Sequence, residues 1–338
     1  MLTALIEKVI QHRDLTEAEA AAAMTEVMEG RVEPAPLAGL LVALAMKGER
    51  PAEIAGFART MRTHAVRITP PPGPVFDTCG TGGDRSGTFN ISSAAALVVA
   101  ACGVTVAKHG NRSVSSRCGS ADVFEALGVR VDAAPAVVER SLAEAGIAFL
   151  FAPTFHPSMR HAGPTRKALG LRTAFNLLGP LTNPAGATRQ IVGVPQPELT
   201  QLLALALVGL GTERAWVVHG ADGLDELSTT GFTKVSECRD GAVQTFYVHP
   251  AEYGLPVARP EDLLGGDAAD NAALIRRVLA GEPGSARDVV LLNAGAALFV
   301  SGTAAGVREG ITLAAVAIDD GRAADTLARM VACSVAGA

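Results

Sequence analysis

Between Asp77 and Asp122, two loops rich in glycine and hydroxyl side chains flank one apolar helix and strand. This arrangement restricts the chain to folds that hold an anion at strand ends. The first loop, Gly80-Thr81-Gly82-Gly83-Asp84, follows the apolar pair Val75-Phe76, so a strand end opens into a segment whose glycines let backbone N–H groups approach phosphate oxygens. A helix starting near Asn90-Ile91-Ser92-Ser93 adds free amides and hydroxyls at its positive end. The second loop, Lys108-His109-Gly110-Asn111-Arg112-Ser113, is expected just beyond a strand at Val104–Ala107. Alone, the glycine loop reads as an ordinary tight turn; the second loop at this spacing favours phosphate binding. A GxxxxGKS/T P-loop is absent, as is the GxGxxG order with its acidic ribose ligand, so the phosphate ligand is not one that those loops bind.

With 338 residues, 49% hydrophobic and 19% charged, the chain is globular and long enough for two domains, or for one large domain with an appended bundle. A net charge of −5 argues against a nucleic-acid-binding surface. Two uncharged stretches, Phe89–Ala107 and Val289–Val307, raise the membrane question. Each is broken by polar residues or glycine and reads as a buried helix joined to a neighbouring element. The N-terminus shows no signal core, so a cytoplasmic protein is expected. Five cysteines without metal-ligand spacing are expected to be reduced thiols.

From Leu2 to about Arg67 the apolar spacing is helical throughout, and Pro70–Pro74 marks a boundary. Strands are expected at Val104–Ala107, Val129–Val131, Ile147–Phe151, Gln190–Val194, Ala215–Val218 and Ala242–Val248, with a helix over Pro197–Gly209 among them. Their alternation with helices predicts a parallel or mostly parallel sheet. The stretch Ala162–Asn183 reads locally as helix plus ordered loop. Asp225-Glu226 follows a strand end. Such a pair is commonly a solvated cap, but beside two anion loops it reads as a Mg²⁺ site, since Mg²⁺ takes one or two carboxylates and fills its shell with substrate phosphate and water.

Several long segments carry a resemblance: the two loops extended through Val114-Ser115-Ser116 and Gly119-Ser120-Ala121-Asp122, then Arg166–Gly170, Asn176–Pro184 and His219–Glu226. Together they resemble the anthranilate phosphoribosyltransferase family of the nucleoside phosphorylase and phosphoribosyltransferase superfamily. The resemblance implies an α/β protein: a small, discontinuous all-α N-terminal domain plus a larger α/β domain with a central, mostly parallel sheet flanked by helices. The helical domain would be residues 1–70 joined in space by roughly 162–184, and the α/β domain residues 74–161 and 185–338. It implies transfer of a phosphoribosyl group from phosphoribosyl diphosphate to anthranilate in tryptophan biosynthesis, with two Mg²⁺ ions per subunit and a homodimer formed through the helical domain.

The donor would be held by Gly80, Gly82, Gly83, Asp84, Thr88, Asn90, Ser92, Ser93, Lys108 and Ser120, and the metal by Ser92, Asp225 and Glu226. Anthranilate would meet Gly80, His109, Asn111, Arg166, Gly179 and Pro180. Arg166 is the candidate for its carboxylate, because guanidinium pairs bidentately with a planar carboxylate. His109 either packs the loop or touches the acceptor. An aromatic amine is already a neutral nucleophile, so no covalent or obligate acid–base residue is expected. Arg117-Cys118, Ser93 and Phe232 depart from the commoner Lys-Ser, Thr and Pro of the family. A nucleoside phosphorylase and a nucleic-acid-binding relative are the competing readings. Intact motifs stand against both, and the net acidity stands against the second as well.

Overall fold

A computed structural model describes residues 2–113 and 117–336. Val114, Ser115 and Ser116 of the second loop's motif lie outside the described residues. Four helices, Leu2–Ile10, Glu17–Met28, Pro34–Lys47 and Pro51–Thr63, open the chain. Their ends are written in the sequence. Thr16 and Glu19 form a reciprocal capping box, with Thr16 Oγ1 accepting from Glu19 N at 3.2 Å, while Pro34 and Pro51 sit in first turns where no amide partner is needed. Their apolar stripes close one core that also takes in Phe175, Leu177 and Leu178 from the 162–184 stretch, and Leu203 and Leu207 from the helix Glu198–Gly209.

Seven strands form one sheet: β1 Val75–Asp77, β2 Thr105–Gly110, β3 Ile147–Phe151, β4 Arg189–Gly193, β5 Arg214–Gly220, β6 Thr233–Arg239 and β7 Ala242–Val248. The spatial order is β3-β2-β1-β4-β5-β6-β7. The first five strands are parallel, and β6 and β7 add antiparallel pairs. Strand order reverses between β1 and β4, which places the ligand crevice of an open α/β sheet at their carboxyl ends. A second core, with Ile91, Leu97, Val218, Leu292 and Leu298, packs helices Ile91–Ala101 and Ser285–Ser301 against the sheet. Among the described residues no helix is long and apolar enough to cross a membrane.

Three local expectations change. Val129–Val131 is not a strand. Val129 N donates back to Phe124 O at 2.9 Å, Arg130 N donates to Ser334 Oγ at 3.0 Å, and the two valines are buried plugs in the core, so their branched side chains serve packing rather than pairing. β2 runs on through Gly110, with Lys108, His109 and Gly110 paired to Phe149, Leu150 and Phe151 of β3, so Lys108 and His109 stand on a rigid strand rather than in a loop. β6 is an additional strand. Its inward positions include Thr233, Ser236 and Cys238, which hid its alternation, but Asp240-Gly241, both at positive φ, form the two-residue hairpin turn that announces it.

Candidate active site

The crevice between β1 and β4 is built on close backbone approach. Gly193 ends β4, and a Cβ there would overlap the carbonyl of Asp225; the Gly193 carbonyl accepts from Thr81 N at 2.9 Å. Gly193 is thus the seam joining the glycine loop to the carboxylate loop, and sequence reading passed over it. A glycine closing an apolar strand is the available signal, because it marks where another backbone comes close. In the glycine loop, Gly82 and Gly83 have φ of 66° and 85°, a left-handed pair that only glycine adopts without strain. The Gly82 amide donates to Asp225.

Three carboxylates converge here. Burial, followed by the charges of Asp84 and Glu226, holds the Asp225 carboxyl well above the ordinary carboxylate range. Burial pushes Glu226 up to about 7 against the opposing pull of Lys108. Lys108 is 2% exposed and donates to Thr78 O at 2.7 Å and Ser92 Oγ at 3.2 Å, while Ser92 N donates to Glu226 Oε1 at 3.1 Å. Ser92 therefore links the lysine to the acidic pair. Like charges crowded around a single lysine fit a divalent cation, which would relieve their repulsion and draw off the proton they otherwise retain. The turn before them is tied down independently: Asp222 Oδ2 accepts from Ser228 Oγ at 2.7 Å and Thr230 Oγ1 at 2.5 Å, and Asn293 of the helix Ser285–Ser301 holds Leu227 through both its backbone groups.

The remaining expected donor residues divide into two groups. Thr88 lies at 3.1 Å from Ser86 Oγ at the loop's far end. Asn90 precedes its helix without capping it. Its amide instead donates to Cys118 O at 3.3 Å and accepts from Asn271 at 3.0 Å, and the Cys118 thiol donates to Asn90 Oδ1 at 3.3 Å, so the departure at Cys118 keeps a weak bond. Ser93 Oγ is buried without a partner among the described residues, and Ser120 Oγ closes the second loop on Asn111 O at 3.3 Å. At the other departure, Phe232 is exposed and tilts against the His249 ring at 4.6 Å.

On the acceptor side, His109 Nδ1 donates to the Gly179 carbonyl at 3.0 Å, which leaves Nε2 as a lone-pair acceptor, buried and unpartnered among the described residues. Burial first, then His156 at 5.2 Å, depresses His109 to about 3, so the ring is neutral at physiological pH. Gly179 and Pro180 form a short turn, with Pro180 buried. Asn111 is exposed and accepts from Arg112 N. Arg166 lies over the Phe175 ring at 5.1 Å and has no ion pair among the described residues; burial lowers its affinity for its proton. Asp77, Cys79 and His109 bring ligand-type atoms within 4.8 Å of one another. Asp77 is occupied by Asn183 Nδ2 at 2.7 Å and His109 N at 3.2 Å, and burial pushes the Cys79 thiol up, so this cluster is a structural knot under the site.

The glycosyl transferase family's a/b domain matches residues 72–324, and its helical bundle domain matches residues 3–65. Fold and site thus define a glycosyl transferase. A curated anthranilate phosphoribosyltransferase from Moorella thermoacetica is 56% identical over 333 residues, spanning 98% of each chain. The crystal structure of that enzyme from Thermus thermophilus superposes with a TM-score of 0.92 at 47% identity, covering 98% of this chain and 99% of the other. The Saccharomyces cerevisiae enzyme in complex with PRPP and Mg gives 0.89 at 27% identity, covering 98% and 97%. The chain belongs to the anthranilate phosphoribosyltransferase family.

Proposed function

We propose that this protein transfers the 5-phosphoribosyl group from phosphoribosyl diphosphate to the amino group of anthranilate, giving N-(5-phosphoribosyl)anthranilate and pyrophosphate. The observation that carries the reading is the convergence of Asp84, Asp225 and Glu226 on the glycine loop at the sheet's switch point, beside Lys108. Gly80, Gly82 and Gly83 present amides to the diphosphate, which gains charge as the C1–O bond breaks, and Lys108 and Ser92 hold their positions before the reaction starts. Thr88, Asn90, Ser93 and Ser120 border the phosphoribosyl portion. Ser92, Asp225 and Glu226 hold Mg²⁺, and three carboxylates plus a diphosphate call for two ions per subunit. When bound, Mg²⁺ neutralises the leaving group's charge.

Arg166 pairs with the anthranilate carboxylate, and its lack of an ion-pair partner among the described residues supports that role. Asn111, His109, Gly179 and Pro180 border the ring beside Gly80. The neutral His109 orients the acceptor through Nε2 without donating a proton. The helical unit, residues 1–70 with roughly 162–184, and the α/β unit, 74–161 with 185–338, face each other across this pocket. Ile10 and Met46, 64% and 80% exposed on the helical unit, support a homodimer through that surface; a Met46→Glu variant that still sediments as a dimer sinks that interface. None of the five cysteines forms a disulfide among the described residues, which suits the cytoplasm. The function is tested by following anthranilate fluorescence with phosphoribosyl diphosphate and Mg²⁺, omitting each in turn. Anthranilate consumption that persists without the donor, or none with all components present, overturns the assignment.

A further inference from the structure

Arg172 is exposed, yet it touches the core of the site: its Nη1 donates to Gly82 O at 3.2 Å, and a Cβ on Gly83 would overlap its guanidinium. It forms no ion pair among the described residues. Six residues upstream in the same segment is Arg166, and the chain between them is locally closed. Gly170 ends the helix Gly163–Leu169 in the left-handed region at φ 62°, with its N–H on Arg166 O at 3.2 Å. Thr173 and Asn176 then exchange two bonds, Thr173 N to Asn176 Oδ1 at 2.9 Å and Asn176 N to Thr173 O at 2.8 Å. Phe175, buried in the helical core, lies under Arg166 and closes the loop. Arg166 and Arg172 thus flank one short, internally bonded segment.

We propose that Arg172 is a positioning residue that ties the glycine loop to the Arg166 loop, so that a diphosphate in the donor site raises the affinity for an aromatic carboxylate in the acceptor site. The inference rests on the donor and acceptor assignments above. A diphosphate drawing the glycine loop inward carries the Gly82 carbonyl with it, and Arg172 follows. By linkage, the acceptor must raise diphosphate affinity by the same factor. Arg172 acts through Arg166 and need not contact either substrate.

The test uses the full-length protein with Mg²⁺ and inorganic pyrophosphate as the donor-site probe, which allows no turnover. Anthranilate binding is titrated by calorimetry with and without pyrophosphate. In the wild type the anthranilate Kd is expected to fall on the order of 10-fold when pyrophosphate is present. In Arg172→Ala the Kd without pyrophosphate stays near the wild-type value and the fall shrinks to less than about 2-fold, whereas Arg172→Lys, which keeps a cationic donor, retains part of it. Arg166→Ala raises the Kd in both states. Intact coupling in Arg172→Ala, or no coupling in the wild type, overturns this inference alone. Wild-type protein that binds no anthranilate under either condition overturns the acceptor assignment, and the inference with it.

Discussion

At the amino end of β4 and β5 and the far end of β6, Arg189, Arg214 and Arg239 lie side by side in register. Each stands beside a carboxylate: Glu213 at 3.0 Å, Glu237 at 2.8 Å and Asp240 at 3.2 Å. At the opposite end, Asp84, Asp225 and Glu226 crowd together, and the cation that pulls on them from within the chain is Lys108. A void of about 550 Å³ opens at the arginine end, yet charge there is matched within the chain. Arg189 and Arg214 also donate to the last carbonyls of the helix Ser285–Ser301, and Arg214 stacks on Phe299 at 3.9 Å. The two ends of the sheet differ in how their charges are met. Each arginine at the base has an acidic partner, though Arg214 Nη2 is buried without a hydrogen-bond partner among the described residues, whereas at the other end carboxylates crowd one another.

The contrast is broken most severely by removing the acidic pair. Asp225→Asn with Glu226→Gln is expected to lower turnover by at least about 10³-fold and to abolish the Mg²⁺ dependence of donor binding, while the melting temperature without metal holds or rises because the repulsion is gone. Retained Mg²⁺-dependent donor affinity would make the pair structural. Arg214→Ala is expected to do the reverse. It leaves Glu237 without its cation and strips a helix end, costing about 3 kcal/mol in urea unfolding, with both KM values unchanged in the cold, well below the variant's unfolding transition. A shifted KM would show that the two ends are not separable in this way.

Gly193→Ala is expected to push back the Asp225 carbonyl and lower kcat by about 10²-fold, the cost of misplacing a site by about an ångström. Full activity in that variant would show that the seam tolerates a methyl group. The smallest effect concerns Asp77, which burial raises to about 6 against the pull of Lys108. An unfolded aspartate titrates near ~3.9, so between these values the native state holds a proton that the unfolded state has released. That contribution to stability is fully present below about pH 4 and is lost as the pH rises through 6. Relative to Asp77→Asn, the wild type should gain about 2 kcal/mol on going from about pH 7 to about pH 4, read from denaturation at each pH. A pH-independent difference would mean that Asp77 stays ionised throughout.

The glycine loop and the Asp225-Glu226 pair were legible as a candidate site because glycines, hydroxyls and carboxylates lie close together in the chain, whereas Lys108 and His109 proved to stand on β2 rather than in a loop. The helical opening was equally plain from its period and its prolines. What the sequence hid was set by long-range approach. Gly193 matters only because Asp225, 32 positions later, folds onto it. Arg172 resembles any exposed arginine until the glycine loop is placed against it. Val129–Val131 looked like a strand because branched residues suit both a sheet and a core, and only the partner decides between them. β6 was hidden by small polar residues facing inward, although its Asp-Gly turn was in view.

The helix Ser285–Ser301 connects these two ends in a way that neither shows alone. Asn293 clamps Leu227, next to Glu226, and eight residues further along, about 12 Å at helical rise, the helix finishes against Arg189 and Arg214. A helix pinned at one point to the carboxylate loop and at another to the base of the sheet behaves as a gauge rod, fixing the height at which Glu226 stands. Wear at the base should then register as lost calibration at the top: damage to the arginine clamps, harmless in the cold, would surface on warming as a widening spread of Glu226 positions before the protein as a whole gives way.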